Sequence, residues 1–460
     1  MKRVLFIFLI WSVSCVCVYA NPLCERQDSL LFEARLAILQ QEIDSLKNAS
    51  HSAPVTHNLK KRRLSLGGYG EAVFTRNFYS DRYLRYTDAE TYKNDRSHGR
   101  FDLPHVVIWL GYDFGKGWSL GTEIEFEHGG VEGAVEIEEE EAGEYETEIE
   151  RGGEVALEQF WINKEFLEGK LNVKAGHIIV PVGALNMYHL PTQFFTNYRP
   201  LGEYTILPST WHETGLSIWG RAGKWRYEAC FLPGLDADRF GRQGWIHDGA
   251  GSPYEFKIAN SYAGAFRIDN FSVRGLRLSL SGYIGESFRN TLSPTDSERF
   301  KNVKGTVCVG AFDFFYSGHN AIVRGNLDYG HLWDSETITR YNMTMRKDSP
   351  SPKQAVASDA IAAGVEAGYN FFGLWRNNKV RKQQLWLFAR YEYYDSMFKT
   401  QGSVPDYKWT ARQHVAAGLN YYPIADIVIK ADFHISILDK KYNNEPAVSI
   451  GVAYSGLFKL

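Results

Sequence analysis

From Leu64 onward, apolar residues recur at every second position over runs of ten or more residues, and the positions between them carry full charges. Leu120, Ile124 and Phe126 interleave with Gly121, Glu123 and Glu125, and Val323, Leu327 and Tyr329 with Arg324, Asn326 and Asp328. Leu387, Ala389 and Tyr391 do the same with Arg390 and Glu392, as do Ile427, Ile429, Ala431 and Phe433 with Lys430, Asp432 and His434. Successive side chains of a strand point to opposite faces, so each stretch is a strand with one apolar and one charged face. A β-sandwich also alternates, but it would not need so many strands of this length. The pattern predicts sixteen strands, at 64–75, 103–114, 118–130, 154–166, 171–180, 213–220, 224–232, 258–270, 275–286, 303–316, 320–334, 357–370, 384–395, 410–422, 425–437 and 445–457.

Tight turns such as Gly115-Lys116-Gly117, Leu167 to Lys170 and Arg221 to Gly223 alternate with much longer connections; Phe371 to Gln383 is a longer, basic exception on the short side. An even strand number with short turns at one end and long loops at the other is the arrangement of a transmembrane barrel. Closure matters because an unpaired backbone group in hydrocarbon costs several kcal/mol, so an open sheet cannot span a bilayer. The expected fold is therefore all-β: a 16-stranded antiparallel transmembrane β-barrel over 64–460, preceded by a short N-terminal coiled-coil helix. The alternating, aromatic end of the chain, with Tyr454, Gly456 and Phe458, resembles the assembly signal of outer-membrane barrels, although the last residue is Leu460.

Helical periodicity is confined to one place. Phe32, Leu36, Leu39, Ile43 and Leu46 form a heptad seam within a short periplasmic helix at 25–48. Fewer than three heptads need a partner, so the helix is either a trimeric stalk or an amphipathic segment packed across the barrel mouth. Residues 49–63 form a basic linker ending in Lys60-Lys61-Arg62-Arg63. Met1 to Ala20 carries Lys2 and Arg3, an apolar run and a Val18-Tyr19-Ala20 cleavage pattern, which marks a signal peptide and export. Beyond it no run of eighteen apolar residues offers a transmembrane helix. These features place the barrel in a bacterial outer membrane, with the N-terminal segment in the periplasm. Net charge is −3 and aromatics make up 15% of the residues, a balance that suits an interfacial girdle and no nucleic-acid partner. Cleavage leaves Cys24, Cys230 and Cys308, an odd set without metal-ligand spacing.

The stretch Glu158 to Gly220 reads as strand, turn, strand, long loop and strand. Its loop, 181–212, is rich in aromatics, His and Pro, and a loop that long needs a reason to exist. Folding inward to narrow a hydrated lumen is the simplest reason, with His189, Phe194, Phe195, Tyr198 and Arg199 at the constriction; an ordinary surface loop is the alternative. The strand LEQFWINKEF, the segment KAGHIIVPVG with Gly176, Pro181 and Gly183, and the strand ETGLSIWG from Glu213 resemble the phosphate-selective porin family, the O and P type, over roughly sixty residues. That resemblance implies a homotrimer of sixteen-stranded barrels, an inward third loop and, in phosphate-selecting members, an arginine ladder along the lumen.

If the apolar phase faces lipid, Lys174, Arg226, Arg267, Arg277, Arg324, Arg390, Arg412 and Lys430 face the lumen. The same phase puts Glu123, Glu125, Asp328, Glu392 and Asp432 there as well. Arg suits oxyanions through its bidentate fork, yet charges of both signs are what a general aqueous pore needs. His105, His177, His189, His212 and His414 are scattered without metal-ligand spacing and read as lumen hydrogen-bonding groups; no catalytic motif is recognised, and the chain does not read as an enzyme. The expected role is passive diffusion of small hydrophilic solutes or ions. A phosphate or anion channel, a structural envelope anchor and an oligosaccharide uptake pore remain as alternatives. No cofactor is expected. A candidate surface site for calcium or magnesium lies on a β-arm at 131–151, where Glu136 would face Glu146 and Glu138 would face Glu144; a solvated acidic flap is the alternative. Outer-membrane lipid and lipopolysaccharide are the expected surroundings.

Overall fold

The computed structural model describes residues 63–95, 97–129, 133–137, 147–151, 154–251, 256–291, 300–344, 354–374 and 383–459. The signal peptide, the 25–48 helix and all of the linker but its last residue lie outside the described residues.

The first wall strands are β1 (Leu64–Asn77), β2 (Gly99–Asp102), β3 (His105–Gly115), β4 (Trp118–Glu127), β7 (Glu154–Phe166), β8 (Leu171–Ile179) and β9 (His212–Ala222), with β5 (Gly133–Ile137) and β6 (Thr147–Arg151) forming a separate two-stranded sheet. The wall continues through β10 (Trp225–Pro233), β11 (Tyr262–Asn270), β12 (Leu276–Glu286), β13 (Thr306–Gly318), β14 (Ala321–Leu332) and β15 (Asp359–Asn370). It ends with β16 (Gln384–Lys399), β17 (Arg412–Ile424), β18 (Ile427–Ile437) and β19 (Glu445–Lys459). β2 and β3 are one wall strand in two pieces, since both pair with β1, through Val73–Arg76 and Leu64–Gly70 respectively. Pro104 sits in the gap, where a missing N–H interrupts the ladder. Each wall strand neighbours the next in the chain, and β19 returns to β1 from Ser65↔Lys459 to Asn77↔Ala447. The result is the closed sixteen-stranded antiparallel barrel read from the alternation, with no free edge. No helix among the described residues is long and apolar enough to cross a membrane.

Along the wall most of the strongly exposed side chains are apolar, while full charges lie buried among apolar and polar neighbours, the reverse of a soluble protein. Leu280 is 53% exposed, Ile429 46% and Ile450 58%, whereas Arg267 is 0% and Lys430 1% exposed. A surface of this kind has hydrocarbon as its natural solvent. The buried charges are covered by loops. Ile178, Val180 and Val182, at the end of β8 and beyond, join Ile206, Leu207 and Trp211 from the following loop in one apolar cluster. Leu235, Phe240, Trp245 and Ile246, from the connection between β10 and β11, belong to the same cluster. Trp245 packs where Gly330 of β14 has no side chain, and its indole N–H donates to the Ala357 carbonyl at 3.2 Å.

Two short helices, α1 (Leu201–Ile206) and α2 (Ser335–Met343), sit in long connections that the alternation left featureless. Six and nine residues are too few for a helical period to stand out from loop sequence.

Candidate functional site

The loop after β8 is pinched at its base, where Val180 N–H donates to the Trp211 carbonyl at 2.8 Å. Gly183 turns the chain with φ +81, a left-handed conformation natural to glycine, and a Cβ there would lie 2.0 Å from Glu203 Oε1. The wall holds this turn on both sides: Arg267 Nη1 donates to the Gly183 carbonyl at 2.8 Å, and Gly183 N–H donates to Ser281 Oγ at 3.0 Å. Glu203 on α1 closes the turn by accepting from the Ala184 and Leu185 amides at 3.1 and 2.8 Å. Burial and the nearby Asp328 push its carboxyl well above the usual range.

The far part of the loop is bonded to the opposite wall. Phe195 stacks on Phe388 of β16 with ring centroids 5.3 Å apart, lies over Gly368 of β15, and has the Arg324 guanidinium 5.0 Å from its ring centroid. Lys430 Nζ donates to the Phe194 and Thr196 carbonyls at 3.1 and 2.8 Å, and Arg390 Nη1 to Thr196 Oγ1 at 2.6 Å. Asp432 accepts from both nitrogens of Asn197 at 2.8 and 2.6 Å, while Glu392 accepts from Leu201 and Gly202 N–H at 3.3 and 3.0 Å. Tyr198 donates to Asp102 at 3.1 Å. His189, Phe194, Phe195 and Arg199 are buried, and Tyr198 half-buried.

The wall charges fall into two kinds of neighbourhood. Across β10 to β13 they are paired: Arg267 with Asp269 and Asp313, both at 2.8 Å, Arg277 with Asp313 at 2.7 Å, and Arg226 with Asp269 at 3.1 Å and with Glu228. Lys174 reaches Glu228 at 3.2 Å, and Glu366 takes both Arg324, at 2.6 Å, and Arg390. Asp328 is buried beside Asn326, which donates to it at 2.5 Å. On the side of β1, β3, β4 and β7, Glu71, Glu123, Glu125 and Glu158 are all buried. Facing them are His105, 2.6 Å from Glu71, and Arg199 of the loop, 3.9 Å from Glu125. Burial alone would lower the Arg199 guanidinium, but Tyr69, Glu125 and Glu158 around it hold it above its ordinary value. Burial pushes the His189 imidazole down to about 4, against the pull of Glu158.

A cavity of about 270 Å³ is lined by Asp81, Arg85, Tyr86, Thr205 of α1, Trp409 and Arg412, among others. Tyr86 and Trp409 are stacked, with centroids 4.4 Å apart. Arg85 and Arg412 share Glu445, at 3.0 and 2.9 Å, and both donate to the Tyr86 hydroxyl. Arg412 was expected on the lumen face; Arg85 and Tyr86 were not singled out, because they lie in a loop with no alternation to orient them.

One expected pairing is corrected. β5 and β6 do form an arm, but Glu136 pairs with Glu148, not Glu146, so its axis lies one residue further along the chain. In this register Val135 pairs with Ile149 and Ile137 with Thr147. Glu138, Glu144 and Glu146 lie outside the described residues.

No family model matches the sequence. A relative from Aquifex aeolicus (strain VF5), described only as an uncharacterized protein, is 26% identical over 392 residues, covering 84% of this chain and 78% of its own. Among solved structures, Salmonella typhi OmpF in complex with daunomycin matches 85% of this chain and 97% of its own, with TM-score 0.50 and 11% identity. The fold is that of porins. The outer membrane channel DcaP of Acinetobacter baumannii and an anion-selective porin from Comamonas acidovorans give TM-scores of 0.47 at 10% identity, each over 85% of this chain and over 97% and 99% of their own.

Proposed function

We propose that the protein is a bacterial outer-membrane channel through which small hydrophilic solutes and ions diffuse passively, its lumen narrowed by the 181–212 loop. The reading rests on one observation above all: a barrel with an apolar outer face encloses a charged inner face, to which this loop is bonded through Glu366, Glu392, Lys430 and Asp432. Apolar filling alone would suffice for a plug or anchor; a charged inner wall has a use in passing hydrated solutes. A preference for phosphate has less support, since Arg226, Arg267, Arg277 and Arg390 already pair with carboxylates. Export by residues 1–20, a periplasmic helix and trimeric assembly belong to the same reading, carried by the sequence pattern and the porin resemblance.

Planar-bilayer recording of the purified full chain tests it. Stable conductance steps are expected, and deletion of Gln193 to Pro200 should raise them. Silence from folded, inserted protein would favour the anchor. The reversal potential in a salt gradient reads the ion preference directly.

A further inference from the structure

Glu123, Glu158 and His189, all buried, each offer one ligand atom, and the three atoms lie within 4.8 Å of one another. Two come from the wall, on β4 and β7, and the third from the inward loop. Glu158 is there because β7 carries a bulge: Gln159 pairs with Glu123 and Leu157 with Ile124, leaving Glu158 unpaired between them. Counting alternate positions back from the exposed Ile162 and Phe160 would put Glu158 on the outer face; the extra residue turns it inward, where it is 2% exposed. Bulges re-aim side chains in this way beside functional sites.

The chemistry of the three fits a cation. The Thr210 hydroxyl donates to Glu158 Oε1, while Glu158 Oε2 is buried, receives no N–H or hydroxyl donor and lies near the Glu125 carboxyl. Gln159 donates to Glu123 and orients it. His189 lies with Nδ1 3.2 Å from the Asn186 carbonyl; donating there fixes the tautomer that leaves Nε2 a free lone pair, the usual outer support of a metal-bound histidine.

We propose that Glu123, Glu158 and His189 bind one divalent transition-metal ion of the zinc class, which clasps the inward loop to the barrel wall. One imidazole with two carboxylates suits Zn²⁺ better than the all-oxygen shells of Ca²⁺ or Mg²⁺. Ligands at about 2.0–2.2 Å from zinc lie roughly 3.3 Å apart, so the side chains draw together on binding, and three protein ligands leave the fourth position to water. This site is distinct from the acidic arm and does not depend on whether the barrel conducts.

The test uses the full-length chain in detergent, stripped with a chelator and dialysed against Zn²⁺ alone, with bound metal measured by elemental analysis. One ion per chain is expected, together with a rise in melting temperature and, with Co²⁺ as a visible probe, d–d absorption bands. E158Q and H189Q should each weaken binding at least tenfold and abolish the Co²⁺ bands while the β-sheet circular dichroism is kept. Since His189 lies in a loop, H189Q serves even if E158Q misfolds. Absence of saturable Zn²⁺ binding in folded wild-type protein overturns the proposal, as does stoichiometric binding that H189Q leaves unchanged, which would place the ion elsewhere.

Discussion

On the β10 to β13 side of the interior, Arg226, Arg267 and Arg277 interleave with Glu228, Asp269 and Asp313, and each cation lies within about 3 Å of an anion on its own or an adjacent strand. Across the barrel, Glu71, Glu123, Glu125 and Glu158 share His105 and Arg199, and Arg199 belongs to the loop. The first wall is balanced by itself and acts as a framework, even supplying the Arg267 bond that holds the loop's first turn. The second is short of positive charge until the loop docks. A buried pair is weak evidence for net stability, but breaking one is costly. The framework should therefore fail by losing a partner, and the acidic wall by losing the loop.

The largest expected effect separates the two walls. D313A strands Arg277 in a buried site, leaves Arg267 with Asp269 alone, and should destabilise the barrel by about 3–5 kcal/mol in detergent unfolding. E125Q, which removes a carboxylate from the side already in excess, should change stability by under about 1 kcal/mol, measured with chelator present. Equal losses in the two variants would erase the distinction. F195A should cost roughly 3 kcal/mol, because a stacked, buried ring leaves a cavity over Gly368. The loss should appear as proteolysis within 181–212 and raised conductance before the barrel itself unfolds.

A pH series sharpens the contrast further. His189 has a folded pKa of about 4 against an ordinary 6.5, so in that window the unfolded chain binds more protons than the native one. Its contribution is therefore full above pH 6.5 and is lost as pH falls toward 4. The total is of the order of 3 kcal/mol at about 1.4 kcal/mol per unit. Glu203, raised by burial, acts in the opposite sense, losing native-state advantage as pH rises above its ordinary value. The wild-type minus H189Q difference in chelated protein isolates the first slope, and a flat difference between pH 4 and 6.5 would refute it. At the small end, K304A breaks an exposed pair with Glu286, 2.8 Å apart, and should shift stability by at most about 1 kcal/mol, falling with added salt.

Much of the wall was legible because a barrel strand repeats every two residues and its two solvents differ. Arg390 and Lys430 against Tyr391 and Ile429 needed nothing beyond that period. Loop length and aromatic content drew attention to 181–212, and Gly183 stands in the stretch that resembles porins. What stayed hidden has particular causes. Arg85 and Tyr86 line the cavity from a loop without periodicity, and the connection carrying Phe240 and Trp245 gave no sign that it folds onto the interior. The arm's register slipped by one residue at its axis because its alternating Glu and apolar positions look alike in either pairing.

Alternation by itself determined the strand number, which face of most strands meets hydrocarbon and which charges turn inward, since each follows from chemistry repeated locally along the chain. Which charges neutralise each other was decided only by the closed sheet, because Arg267, Arg277 and Asp313 meet across strands separated by tens of residues. The bulge at Glu158 breaks the very period from which the rest was read, and His189 reaches that carboxylate's neighbourhood only through the docked loop. A period of two can place a side chain on a face; it cannot count an unpaired residue or fold a loop across the interior, and those two events assemble the cluster of Glu123, Glu158 and His189.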